Sequence, residues 1–370
     1  MNPEVAQATT NPAVGVLIFT LGGLAGAVFY LPFKKVKNWA WESYWLVYAV
    51  FGLVVVPWVL ALNTSPNVMA VLKGTPGKEL AYCYLCGAMW GVGGLTWGLM
   101  IRYLGVGLGL AIGCGLCSAA GTLIPPIIAG NLGRLYGTPA AHASLVGVLV
   151  SLVGIVLVGM AGMSKENELP EDQKKKAVAE FNFKKGLLVA IFSGLMSSGM
   201  SFGLQGGPTI ERLAQTSSPI TSPTWKGMPV LVVVLLGGFT INFLWCLFLN
   251  VKNKTTGDYT KADTPLAGNL LFAGLAGAIW CSQFICFKTG EPAMGETAYI
   301  GWAVLMASAI LFSTVLGIFL GEWKGTSSRT RSLLAVGLTL LLLSSVIAGY
   351  SGYLGKSKAA PPVPTELKPA

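Results

Sequence analysis

Ten times along this chain apolar residues persist for about 20 positions, the helix length that carries a backbone across about 30 Å of hydrocarbon at about 1.5 Å per residue. The runs fall at 13–33, 43–62, 80–101, 104–128, 143–163, 185–204, 227–250, 266–288, 299–320 and 332–354. Only 11% of the 370 residues are charged, and the mean hydropathy of +0.65 is too high for a water-soluble domain. A segment in lipid must satisfy its own backbone groups, so the expected fold is an all-α integral membrane protein of ten transmembrane helices.

Little remains outside those runs. The connection 164–184 and the proline-rich tail 356–370 are too polar to make a second domain, and the tail reads as disordered. The start MNPEVAQATTNP has no basic segment ahead of its apolar run, so 13–33 is expected to stay as the first span. The net charge of +10 is scattered over many loops, which argues against a nucleic-acid surface. With the N-terminus outside, the inner loops hold the bases Lys34, Lys35, Lys37, Arg102, Lys165, Lys174, Lys175, Lys176, Lys184, Lys185, Lys252, Lys254, Lys261, Lys324, Arg329 and Arg331. The other nine of the 25 go to the outer loops and the tail, so the positive-inside rule favours both termini outside. In FYLPFKKVKNWAWESYWL, Phe29 to Leu46, the lysines then face anionic lipid, and Trp39, Trp41 and Trp45 read as headgroup anchors.

The third and eighth runs share a signature, GAMW at Gly87–Trp90 and GAIW at Gly277–Trp280. The same offset of 190 pairs Gly105 with Gly295, Val146 with Val336, Gly147 with Gly337, Gly159 with Gly349 and Gly162 with Gly352. The first and sixth runs align more loosely, through Gly15 with Gly186 and Gly23 with Gly194. The expectation is two five-helix repeats, 1–163 and 185–355, joined by a cytoplasmic loop at 164–184. Five is odd, so the copies insert in opposite orientations, as in secondary transporters. The run Gly105–Gly115 suits close helix packing, and it lacks the preceding strand and acidic ligand of a dinucleotide loop.

Reactive side chains point away from enzymes. Cys83 with Cys86 and Cys114 with Cys117 have CxxC spacing but lie in apolar context, where a thiol behaves as a small hydrophobe; Cys246, Cys281 and Cys286 read the same way. A single histidine, His142, cannot build a metal site, and neither GxSxG nor HExxH occurs. No metal or cofactor is expected. None of the 15 acids falls at the centre of a run; those nearest are Glu42, Glu211, Glu291, Glu296 and Glu322. Each reads equally as a hydrated cap or a proton-coupling group. Neutral polar and aromatic groups inside the runs suit a sugar better, through amide hydrogen bonds and indole stacking: Trp90, Thr96, Trp97, Gln205, Asn242, Trp245, Trp280, Gln283, Tyr299 and Trp302. Each has an ordinary alternative in interhelical bonding or interfacial anchoring.

FYLPFKKVKNWAWE resembles the segment after the first span of bacterial L-rhamnose–proton symporters, members of the drug/metabolite transporter superfamily. The likeness continues through GAMWGVG and MIRYLG within 87–105, GTLIPPIIAGN at 121–131, EFNFKKGLL at 180–188, SSGMSF at 197–202 and GEW at 321–323. It implies ten helices in inverted repeats, alternating access in the bacterial cytoplasmic membrane, and import of L-rhamnose or a related deoxysugar by proton symport. WCSQFICFKTGEPAMGE matches only broadly, and the pattern singles out no proton carrier. The partners are then sugar, proton and bilayer. Expected sugar contacts are Trp90, Trp97, Asn242, Trp280, Gln283 and Trp302, and the proton-coupling candidates are Glu42, Glu211 and Glu296. The runner-up is a superfamily carrier of another sugar or small metabolite, exporters included; a membrane enzyme or a sugar sensor is disfavoured.

Overall fold

The computed structural model describes residues 11–131, 133–168, 182–261, 264–321 and 323–356; Glu322, the middle of the 164–184 connection and the expected tail from 357 onward lie outside them. The described elements are helical: α1 (Pro12–Val28), α2 (Trp41–Val50), α3 (Val56–Thr64), α4 (Val68–Gly74), α5 (Gly77–Ile128), α6 (Gly133–Tyr136), α7 (Pro139–Asn167), α8 (Phe183–Ser197), α9 (Gly199–Gln205), α10 (Pro208–Thr216), α11 (Met228–Lys252), α12 (Leu266–Met294), α13 (Gly301–Phe319) and α14 (Ser328–Lys356). Side chains such as Leu188, Val251, Phe319 and Val346 are exposed around the bundle, as lipid-facing positions require.

Local chemistry explains the joints. α2 and α3 form one span through a wide π turn at Phe51–Val55. Pro57 has no N–H to offer the carbonyl one turn back, so the helix loosens there rather than breaking. α5 is 52 residues long, about 78 Å if straight, far more than a bilayer holds. It turns back at Gly105, whose φ of 79° and ψ of 170° lie outside any helical region. Gly295 closes α12 at φ 56°. These two glycines, paired by the 190-residue offset, both adopt backbone that side-chain-bearing residues avoid.

Among the described residues, nine helical stretches are long and apolar enough to cross a membrane, where the sequence separates ten runs. The difference lies at 266–288 and 299–320. The short 3-10 turn Gly295–Ile300 carries α12 into α13 without an uncoiled break, so Leu266–Phe319 is a single helical stretch of 54 residues.

Packing follows a recurring pattern. α1 lies against α12 and α13, α8 lies against α5, and α7 pairs along its length with α14. Glycine sets the closest approaches. A Cβ built on Gly87 would stand 1.8 Å from the carbonyl oxygen of Val234, and one on Gly237 would stand 1.9 Å from that of Tyr84, so α5 and α11 meet backbone to backbone. α12 and the α2–α3 span meet in the same way: a Cβ on Gly277 would stand 2.5 Å from the carbonyl oxygen of Tyr48, and one on Gly52 would stand 2.7 Å from that of Gly277.

These contacts predict the effect of single methyl groups. Gly87→Ala and Gly237→Ala each force backbones apart and are expected to destabilise the protein by about 1–3 kcal/mol. Gly94→Ala, which meets nothing within 4 Å, should leave the melting temperature in detergent unchanged or slightly raised. A Gly87→Ala protein as stable as Gly94→Ala would contradict the packing described.

Candidate functional site

α12 carries three kinds of side chain along its length. Trp280, Phe284, Lys288 and Glu291 follow at spacings of four, four and three, which places them on one face over about 16 Å. The lower part is aromatic. Trp280 meets Trp90 at 5.0 Å between ring centroids, Tyr48 at 5.9 Å and Phe284 at 4.6 Å. Trp302, on α13, lies 6.3 Å from Phe284 and donates its indole N–H to the Cys117 carbonyl at 3.1 Å. Trp45 lies tilted against Tyr48 at 4.6 Å between ring centroids and donates to Asn242 Oδ1 at 3.0 Å, while Asn242 donates to the Gly238 carbonyl.

Four of the six expected sugar contacts thus join one aromatic and amide column: Trp90, Asn242, Trp280 and Trp302. The other two go elsewhere. Gln283, 5% exposed, turns its Oε1 toward Gly26 on α1. Trp97 donates to Ser197 Oγ at 2.8 Å and packs beside Met100, away from the column.

The upper part is ionic. Lys288, 2% exposed, donates to the Leu204 carbonyl at 3.0 Å, to Glu211 Oε1 at 2.5 Å, and to Glu291 in a very short ion pair. Lys226 meets the second oxygen of Glu211 at 3.0 Å. Glu211 is placed by α10, whose first N–H groups, those of Thr209 and Ile210, are capped by Glu79 Oε1 at 2.8 and 3.0 Å. A cavity of about 480 Å³ opens over this cluster, walled by Gln205, Glu211, Gln215, Lys226, Glu291 and Tyr299, with Lys288 at its floor. Gln205 donates to Ser201 Oγ and the Gly121 carbonyl, directly beside the indole of Trp302. The cavity floor and the aromatic column are therefore neighbours.

Sequence reasoning missed Lys288, which stands at the end of an apolar run and reads there as a loop base. Its signal was the i, i+3 spacing to Glu291 in FKTGE, an ion pair on one helix face. Glu296 stays exposed on the turn after α12.

The end bearing Lys34, Lys35 and Lys37 is tied together by hydrogen bonds. Glu42, 5% exposed, accepts from Asn253 Nδ2 and Thr255 Oγ1, both at 2.9 Å. Asp258 accepts from the Ala40 N–H and Ser43 Oγ at 2.8 Å and from Lys261 Nζ at 2.7 Å, and its carbonyl takes the Trp39 indole N–H. Asn269 exchanges two bonds with the backbone of Lys37. Of the three expected headgroup anchors, only Trp41 is exposed; Trp39 and Trp45 are tied to the second half of the chain. These bonds latch the start of α2 to the connection between α11 and α12.

Helices that bury backbone contacts at glycine, expose apolar side chains to lipid and surround a charged cavity define a multi-pass α-helical membrane protein. The sequence matches the L-rhamnose-proton symport protein family (RhaT) over residues 9–353. Similar curated proteins include the L-rhamnose-proton symporters of Cronobacter sakazakii (33% identical over 340 residues, 91% of this chain and 96% of that protein) and of Escherichia coli strain Crooks (33%, 91% and 97%). That of Klebsiella pneumoniae MGH 78578 is 32% identical over 91% of this chain and 97% of its own length. The chain belongs to the L-rhamnose-proton symport protein family, whose members are transporters rather than enzymes, and it is a multi-pass protein of the bacterial inner membrane.

The latch predicts a pH dependence. Burial raises the Asp258 pKa, but the bonds from Lys261, Ala40 and Ser43 outweigh it and hold the carboxyl below its ordinary value. A depressed carboxyl stabilises the fold above its unfolded pKa of about 3.9, and that contribution is lost as pH falls through the folded value. Asp258→Asn is expected to cost about 1–3 kcal/mol at neutral pH and to flatten the loss of thermal stability below about pH 4. Unchanged melting curves at both pH values would sink the latch.

Proposed function

We propose that this protein imports L-rhamnose or a closely related deoxysugar together with a proton, by alternating access between two inverted five-helix halves, 1–163 and 185–355. The observation that carries the reading is the single face of α12 on which an aromatic column suited to a sugar ring runs directly into a buried ammonium shared by two carboxylates. A sugar stacks on indole through its C–H faces, and a proton needs a group that can take it up within the cavity the sugar enters.

Several features support the halves. The Leu266–Phe319 stretch counts as two spans on this reading, since 54 residues are twice what a bilayer needs, and the total becomes ten. Helix one packs on eight and nine as helix six packs on the two spans of α5, and five packs on ten. Gly87 against α11 corresponds to Gly277 against the second span. Under the positive-inside orientation the lysine-rich latch is cytoplasmic and the 480 Å³ cavity faces outward, which makes this the outward-open state. Of the proton-coupling candidates, Glu211 belongs to the cavity cluster, Glu42 to the latch, and Glu296 to neither.

In proteoliposomes, labelled L-rhamnose should accumulate under an inward proton gradient and cease to do so with a protonophore. Trp90→Ala and Trp280→Ala should each raise the KM roughly 2- to 13-fold, the equivalent of losing about 0.5–1.5 kcal/mol of aromatic contact. Correctly inserted protein that admits no rhamnose would refute the substrate, and a panel of other sugars would follow.

A further inference from the structure

The ammonium of Lys288 has three N–H donors and no acceptor. In this structure all three are committed, to the Leu204 carbonyl, Glu211 Oε1 and Glu291 Oε2. A sugar hydroxyl entering the cavity therefore finds its only fully buried cation unavailable among the lining residues. One donor must be released before Lys288 can bind a ligand.

The two carboxylates are not equivalent. Glu211 is held by two ammonium groups, Lys288 on one oxygen and Lys226 on the other. Among the described residues Glu291 is ion-paired with Lys288 alone, which it shares with a competing carboxylate. Other ionisable groups around the cluster do not redress this: Glu79 is spent on the N–H groups that begin α10, Cys83 of α5 carries no positive charge, and Tyr299 is a neutral phenol on the cavity wall. By Coulomb counting, a proton arriving from the cavity neutralises Glu291 at less expense than Glu211.

We infer that Glu291 is the proton carrier of the transport cycle and that its protonation releases a Lys288 N–H to a hydroxyl of the incoming sugar. The inference rests on the symport reading and names the group that performs the coupling. The step balances simply: an external hydronium gives a proton to a Glu291 carboxylate oxygen, a neutral carboxylic acid forms, and the Lys288–Glu291 ion pair becomes a free donor beside a free acid. Lys288 keeps its charge and its bond to Glu211 throughout. Sugar and proton then bind in order, because a deprotonated Glu291 holds the donor that the sugar needs. When Glu291 loses its proton to the cytoplasm, it reclaims Lys288 and displaces the sugar. This also explains why a lysine stands inside an apolar helix: the buried charge is kept because the cluster is neutral as a whole, two ammonium groups against two carboxylates.

The test separates this from the transport reading. Sugar added to de-energised proteoliposomes of the unmodified protein should alkalinise the external medium as protons enter with it; if it does not, symport itself fails. Given that signal, Glu291→Gln should abolish it and reduce accumulation under a one-unit pH gradient from about tenfold to none, for one proton per sugar. Exchange of labelled for unlabelled sugar should remain measurable and become independent of pH, because Gln mimics the protonated acid. Sugar-driven proton uptake persisting in Glu291→Gln would overturn the inference while leaving symport intact. Should Glu291→Gln fail to fold, a hydrophobic carbodiimide, which reacts with protonated carboxyls, decides the matter on the unmodified protein. Mass spectrometry should find Glu291 labelled ahead of Glu211 at acid external pH with transport lost, and labelling of Glu211 with Glu291 untouched would refute the assignment.

Discussion

The bundle depends on how closely its helices approach. Lipid chains are as apolar as the side chains that face them, so association in a membrane draws on van der Waals contact between backbones rather than on expulsion of water. Gly87, Gly237, Gly277 and Gly52 provide that contact where the third and eighth spans cross their partners. Because α5 and α12 are drawn in this tightly, Trp90 and Trp280 come within 5.0 Å and the aromatic column closes between them.

The same approach makes a buried charge tolerable. Lys288 is buried against Gly227 and the Leu204 carbonyl, out of reach of the water that an isolated ammonium would need. It stays because Glu211, Glu291 and a carbonyl take all of its donors within one neutral cluster. Such a cluster contributes less to stability than apolar residues of the same volume would, and removing one member leaves its partner stranded. Its persistence at the floor of a cavity is therefore better understood as function than as stability.

The two ends of the molecule are complementary. At one end charged groups line open space; at the other, Glu42, Asp258 and Asn269 spend their hydrogen bonds on the backbone and side chains of facing segments. In the proposed cycle the two arrangements exchange, and the hydrogen bonds of the latch, with the packing of Trp39 on Tyr259, break and re-form as the ends alternate.

The helical membrane fold, the position of most spans and the family resemblance were legible in the sequence, because hydrophobic length and backbone satisfaction are local properties that lipid enforces segment by segment. The aromatic members of the column were legible for the same reason, as costly or bulky groups inside apolar runs. What tertiary structure alone decided was partnership. Lys288 is a loop base by count and becomes a buried cation only when α10 brings Glu211 to it from 77 residues away. Trp39 and Trp45 look like lipid anchors until Asp258 and Asn242 meet them across more than 190 residues. Gln283 shares a short stretch with Trp280 yet turns to Gly26, where the missing side chain leaves it room. Charge and hydrogen-bonding capacity belong to single residues, but whether they are satisfied depends on groups that the fold brings together from distant parts of the chain.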